Sequence, residues 1–389
     1  MSERDLLMIP GPIEFDPAVL RAMAAPTLSH VSPEFVEIFG QALGDVRKVF
    51  LSDDGQPFVI AGSGTFALEL AIANLVEPGD AVLVVNTGVF SDRFGRAAEL
   101  HGGEVTHVRA AVGDAPSLDQ IEAALRQRDY KLATITQVDT STGVLIDVQG
   151  VARLAASYGA LSIVDGVCAT AGEEFRQSLW GVDACVTASQ KALGVPPGLA
   201  VAVFGPKAIA AFESRRSPVR SYYADFGEWL PIMRAYEERR PAYFGTPPVN
   251  LIYALRESLQ QILAEGLEAR FARQKRIAAA FRAAWRALGL KMVPVREEVT
   301  AHTLSAIYYP EGVDATLPAK VKAQGVVVAG GLHPAIRSAY FRVGHMGTCN
   351  AGDVLATVGA VERALLAAGY AFEPGTGLAA AQRALAGHG

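Results

Sequence analysis

Leu161-Ser162-Ile163-Val164-Asp165 is an apolar, strand-like run ending in a carboxylate, and 26 residues after that aspartate comes Lys191, in Thr187-Ala188-Ser189-Gln190-Lys191-Ala192-Leu193. A lysine can form a Schiff base with an aldehyde, and a pyridine ring withdraws electrons only while its nitrogen stays protonated, which a nearby buried carboxylate enforces. The pairing therefore points to pyridoxal phosphate. A surface lysine and a strand-end cap are the ordinary alternative, so the neighbouring segments decide.

Working outward, short apolar runs alternate with helical patterns from about residue 57 to 205. They are Phe58-Val59-Ile60-Ala61, Ala81 to Val85, Leu132 to Thr136, Leu161 to Val164 and Ala200 to Phe204. Continuous rather than alternating apolar strands imply burial on both faces, so the expected fold is α/β, a mainly parallel sheet flanked by helices. Ligands of such sheets bind at the carboxyl ends of the strands, where Gly62, Asn86 to Gly88, Asp139 to Gly143, Asp165 to Val167 and Ser189 to Lys191 all fall. After Pro247-Pro248 a long helical stretch runs from about Leu251 toward Leu288, interrupted at Gly266. Strand-like Thr303 to Tyr309, Val326 to Val328 and Ala339 to Val343 then alternate with helical Ala315 to Gln324 and Ala351 to Ala368. This suggests a large domain over 15–260 and a smaller α+β domain built from 1–14 and 261–389, with the tail after Pro374 a loosely attached helix.

Half of the 389 residues are hydrophobic, enough for a full core in two lobes. A formal net charge of −5 argues against a nucleic-acid surface and for small-molecule partners. Cys168, Cys185 and Cys349 form no metal-ligand pattern and read as free thiols. No apolar run is long enough to span a bilayer, the start does not read as a secretory signal, and the last residues match no targeting tail; the expected location is the cytoplasm.

Gly62-Ser63-Gly64-Thr65-Phe66-Ala67 follows a strand and opens a helical run, so its backbone N–H groups suit a phosphate. The same segment fits GxGxxA, the mark of a nicotinamide-dependent oxidoreductase or nucleotide-binding module, but the next strand ends in Asn86 rather than the acid that motif requires. Phe90 can stack on a planar ring or fill core, and Thr140 and Thr142 can bond a phenolic oxygen or simply shape a turn. Arg342, inside the strand-like Tyr340 to Val343, needs an anionic partner, either a substrate carboxylate or a structural ion pair. His345 reads as structural.

Taken with Ile9-Pro10-Gly11-Pro12, Ser29 to Phe35, Thr87 to Arg93, Trp180 to Asp183, Tyr243 to Pro248, Gly330 to His333 and Arg342 to Gly347, these segments resemble the class V, fold-type I, pyridoxal-phosphate aminotransferases. The similarity is greatest to the fungal-type alanine–glyoxylate group. It implies that Lys191 holds the cofactor and Asp165 its ring nitrogen. Val167 and Phe90 would take the two ring faces, Thr140 the phenolic oxygen, and Ser63, Gly64, Thr65 and Gln190 the phosphate. It further implies that Tyr243 and Thr246 reach the phosphate site of a second subunit in a homodimer, and that Arg342 clamps the substrate carboxylate. The implied reaction is ping-pong transamination from a small amino acid, L-alanine first, to glyoxylate, giving glycine and a 2-oxo acid. Serine or another small amino acid is the alternative donor. A cysteine desulfurase would need a mobile nucleophile, for which Cys349 is the one candidate.

Overall fold

The computed structural model describes residues 5–387; residues 1–4 and 388–389, the outer ends of the two terminal segments, lie outside the described residues. Its centre is a seven-stranded sheet of β1 (Gln56–Ala61), β2 (Ala81–Asn86), β3 (Glu104–Arg109), β4 (Leu132–Thr136), β5 (Leu161–Asp165), β6 (Ala184–Ala188) and β7 (Leu199–Phe204). The order is β3-β2-β4-β5-β6-β7-β1, and β7 alone runs against its neighbours. The interior strands β2, β4, β6 and β7 are buried at every residue, as continuous apolar runs between two helical layers must be. β3 was not legible as a strand. It is an edge with half-exposed Glu-Val-Thr-His-Val-Arg, where solvent removes the demand for an apolar run.

Register aligns the functional ends. Thr136 pairs with Asp165, and Asp165 with Val186, so the loops after β4, β5 and β6 leave the sheet side by side. The loops after β1 and β2 open the helices Gly64–Leu75 and Val89–Leu100 at the same edge. Ser63 accepts from Phe66 N–H at 3.4 Å and caps the first of these.

The long helical stretch is interrupted at Gly266, as expected, into Val249–Glu265 and Leu267–Ala287, with Gly266 at φ +81°. One apolar cluster gathers Val19 through Ile262 together with Val299; another gathers Met8 with residues from Ile277 to Ala381, centred on Phe281, Trp285 and Phe341. A three-stranded antiparallel sheet of Leu304–Tyr308, Tyr340–Gly344 and Ala329–Gly330 supports the second cluster.

The tail departs from expectation. It forms the helix Thr376–Leu385, but it is not loose: Ala381 is fully buried, and Glu362 of helix Ala351–Ala367 accepts from the N–H groups of Gly375, Gly377 and Leu378 at 3.0, 2.7 and 3.1 Å. A carboxylate on those unpaired donors satisfies them and opposes the helix dipole. Glu362→Ala should cost about 1–3 kcal/mol of local stability and speed amide hydrogen exchange over 375–385 without changing β4 to β6. Unchanged protection of the tail would contradict this role for Glu362.

Candidate active site

Asp165, the last residue of β5, is 3% exposed and takes one hydrogen bond, from Val167 N–H at 2.9 Å. Burial pushes its carboxyl up to about 7; the charge on Asp139 adds to the rise, while the Val167 N–H and the Lys191 charge oppose it. Lys191 follows β6, and its ammonium donates to the carbonyl of Pro10.

That contact belongs to a strap the sequence did not disclose. Leu6 and Leu7 pair with Val326 and Val327, Gly344 N–H donates to Met8 O at 2.8 Å, and Ile13 N–H donates to Gln190 O at 3.3 Å. Between these ties the chain crosses the lysine at Gly11, whose φ is +111°. A Cβ there would lie 2.5–2.7 Å from Lys191 Cδ, Nζ and Cε, so only glycine permits the crossing. The Pro-Gly-Pro sequence was the available signal.

One cavity is lined by Ser63, Gly64, Thr65, Phe90, Thr140, Asp165, Val167, Gln190 and Lys191, residues that the sequence singled out from five separate segments. Leu68, Arg93, Val138 and Cys168 line it too and were not anticipated as site residues. Arg93 lies over the Phe90 ring, 4.9 Å from its centroid, within cation–π range. Cys168 is a buried thiol whose pKa burial raises, which disfavours a nucleophilic thiolate.

Five residues named from the sequence, Tyr243, Thr246, Arg342, Thr142 and Cys349, do not line this cavity. Tyr243 is 61% exposed and Thr246 is also exposed. Arg342 stands beside the cavity, its Nη1 donating to Thr140 O at 3.2 Å and its Nε to Gly330 O at 2.9 Å. The structural ion pair is absent: no carboxylate pairs with Arg342 among the described residues. Thr142 serves the turn, donating to Thr87 O at 2.9 Å. His345 stacks on Phe281 and faces Ser305 Oγ at 3.1 Å; burial pushes it down to about 3, so it is neutral and structural. Cys349 is buried beside Leu6 and Ile13, does not line the Lys191 cavity, and has its pKa raised by burial. That is no setting for a mobile nucleophile.

These residues fit pyridoxal phosphate. Asp165 is a buried carboxylate with a single hydrogen-bond donor, suited to a cationic ring nitrogen. Gln190 Oε1 is buried without a partner. The Gly64 and Thr65 N–H groups sit in the first turn of a helix of 12 residues, where backbone donors have no intrahelical acceptor and favour an anion. Val167 and Phe90 offer faces for a flat ring. Among the described residues no cluster of His, Cys, Asp and Glu could hold a metal.

The chain belongs to the class V aminotransferases, whose family model, "Aminotransferase class-V", matches residues 19–356. It is a pyridoxal-phosphate-dependent aminotransferase of fold type I, acting on amino and 2-oxo acids. It is 40% identical to alanine–glyoxylate aminotransferase 1 of Saccharomyces cerevisiae, over 89% of this chain and 93% of the yeast protein. It is 37% identical to the L-aspartate–glyoxylate aminotransferase of Paracoccus denitrificans, over 98% and 96%. The crystal structure of ureidoglycine–glyoxylate aminotransferase from Bacillus subtilis superposes with a TM-score of 0.92 at 28% identity, covering 99% of this chain and 98% of that one. Membership in this family removes the nicotinamide alternative. No helix among the described residues is long and apolar enough to cross a membrane.

The Asp165 shift fixes a pH dependence. In the cofactor-free protein its folded pKa of about 7 lies above the ordinary aspartate value of 3.8. The native state therefore keeps a proton that the unfolded chain releases. Stability from this group is complete below about pH 4 and is lost as pH rises through 7, by roughly 4 kcal/mol at about 1.4 kcal/mol per unit. Urea unfolding of cofactor-free protein should show lower stability at pH 8 than at pH 5, and Asp165→Asn should shrink that fall. Equal falls in the two proteins would contradict the burial argument.

Proposed function

We propose that the protein transfers the amino group of a small amino acid, L-alanine first, to glyoxylate, yielding glycine and pyruvate in two half-reactions. The observation that carries this reading is Arg342, a guanidinium held by two backbone carbonyls with no carboxylate of its own among the described residues. Carbonyls fix its position without neutralising it, so its charge remains available to the α-carboxylate of an amino or 2-oxo acid. Bound pyridoxal phosphate supplies the aldehyde that takes the amino group and the ring that accepts electrons from Cα.

The chain's own residues do the rest. Lys191 Nζ removes and returns the proton at substrate Cα, held over the site by its methylene stem and the Pro10 carbonyl. Asp165, ionised beside a cation, keeps the ring nitrogen protonated. Phe90 and Val167 hold the ring from its two faces, Thr140 bonds its phenolic oxygen, and Ser63, Gly64, Thr65 and Gln190 hold the phosphate. The strap crosses directly over the Lys191 side chain at Gly11.

We take the chain as two lobes, residues 15–260 and, with the N-terminal segment 1–14, residues 261–389, a division that the two separate apolar clusters support. Tyr243 and Thr246 are exposed and outside their own chain's cavity, and this supports a homodimer in which each pair reaches the phosphate site of the second copy. Acidic net charge and three free cysteines accord with a cytoplasmic enzyme.

A dicarboxylic donor is the second reading, favoured by Arg93. Its guanidinium lines the cavity with no hydrogen bond or ion pair among the described residues, and a relative 37% identical is named for L-aspartate. Serine follows as a further small donor. One methyl or hydroxyl gives modest discrimination, whereas a second carboxylate meeting an arginine gives much more.

A donor panel with glyoxylate, followed spectrally in single half-reactions, should rank alanine above serine and aspartate. Arg342→Ala should raise KM for donor and acceptor at least tenfold, and unchanged KM values would remove it from the clamp role. Mixing Lys191→Ala with Thr246→Ala subunits should restore partial activity if sites are shared; none after proven subunit exchange would oppose the shared-site dimer.

A further inference from the structure

We propose that Asp139 is a positioning residue for the reaction: its carboxylate fixes the Phe90 wall, the Thr140 hydroxyl and the Arg342 guanidinium relative to one another. This rests on the assignment of Phe90 and Thr140 to the cofactor ring.

Asp139 has no exposed surface. Its Oδ2 accepts from Phe90 N–H at 3.0 Å, Ser91 N–H at 3.2 Å and Ser91 Oγ at 3.4 Å; its Oδ1 accepts from Ser141 N–H at 3.0 Å and Ser141 Oγ at 2.6 Å. One carboxylate thus ties the first turn of the helix Val89–Leu100 to the turn after β4. Two further bonds close the same seam: Val89 N–H donates to Ser141 Oγ at 3.0 Å, and Thr142 Oγ1 donates to Thr87 O. Gly88 completes it from the other side, since a Cβ there would lie 2.4 Å from Ser141 Oγ and 2.6 Å from Asp139 Oδ1.

The far side of the turn holds the other lobe. Thr140 O accepts from Arg342 Nη1, and Ser141 O accepts from the Tyr340 hydroxyl, which itself accepts from Leu332 N–H at 2.8 Å and His333 N–H at 2.9 Å. A shift of this turn therefore moves a ring wall, a ring hydroxyl partner and the carboxylate clamp together.

An ionised carboxylate is acceptor-only and can serve all five donors; an amide cannot. Asparagine would present N–H to N–H on either the Phe90 side or the Ser141 side, leaving a buried donor without an acceptor and releasing one loop. The fold elsewhere does not need this contact, because β2 and β4 are held by their own ladder.

The test compares wild type, Asp139→Asn and Gly88→Ala as purified holoenzymes. The readouts are the dissociation constant for pyridoxal phosphate, visible circular dichroism of the bound cofactor, far-ultraviolet circular dichroism, and KM against kcat. Asp139→Asn should keep wild-type secondary structure, bind cofactor at least tenfold more weakly, change the visible band, and raise KM for both substrates as Arg342 shifts. Gly88→Ala, which displaces the same carboxylate without altering its charge, should move every readout in the same direction. Cofactor affinity within twofold of wild type and an unchanged visible band in Asp139→Asn would overturn the proposal. Should that variant fail to fold, the same result in Gly88→Ala overturns it. Lys191→Ala separates this from the site assignment: if it abolishes the wild-type visible band while Asp139→Asn changes nothing, only the positioning role is wrong, and a band unaffected by Lys191→Ala would refute both.

Discussion

Asp165 occupies the end of a central strand, with a carboxylate almost out of water and one N–H to satisfy it. An anion in that position is tolerable only as a protonated acid or beside a cation. The architecture around it serves the second state. Parallel strands in register bring Lys191, Thr140 and Gln190 to the same edge, and the helix after β1 turns its N-terminal N–H groups toward that edge. A protonated pyridine nitrogen matches the carboxylate, while the phosphate matches the helix end.

Charge is handled with similar economy at Arg342. A guanidinium paired to a glutamate would be rigid but neutralised; one bonded to the carbonyls of Thr140 and Gly330 is rigid and still cationic. Because Thr140 lines the cavity and its carbonyl accepts from Arg342, the proposed substrate clamp and a proposed cofactor contact share one piece of backbone. The strap from Leu6 to Ile13 makes the corresponding link on the other side, joining the smaller sheet to Lys191.

Much of this was legible because parallel α/β sheets put function at strand ends, and apolar runs mark those ends. Lys191, Asp165, Phe90, Thr140 and the Ser63 segment were found that way and share one cavity. Tyr243 and Thr246 were chosen by resemblance alone, and the single chain leaves them exposed. The half-exposed β3 lacked an apolar signature, and Gly11 matters only through a contact 180 residues away in sequence. Asp139 was invisible for a related reason. Its importance lies in accepting from loops that converge only after folding, whereas in sequence it is one acid in a hydroxyl-rich turn. Arg93 reads as a solvated helix residue until the helix is docked against the cavity.

Lys191 and Asp165 are the pair proposed to hold pyridoxal phosphate. Borohydride reduction of the holoenzyme followed by peptide mapping tests this assignment most directly. One pyridoxyl-phosphate adduct per chain is expected, on Lys191, with a marked loss of labelling in Asp165→Ala. An adduct on any other lysine, or full labelling of Lys191 when Asp165 is replaced, would contradict it.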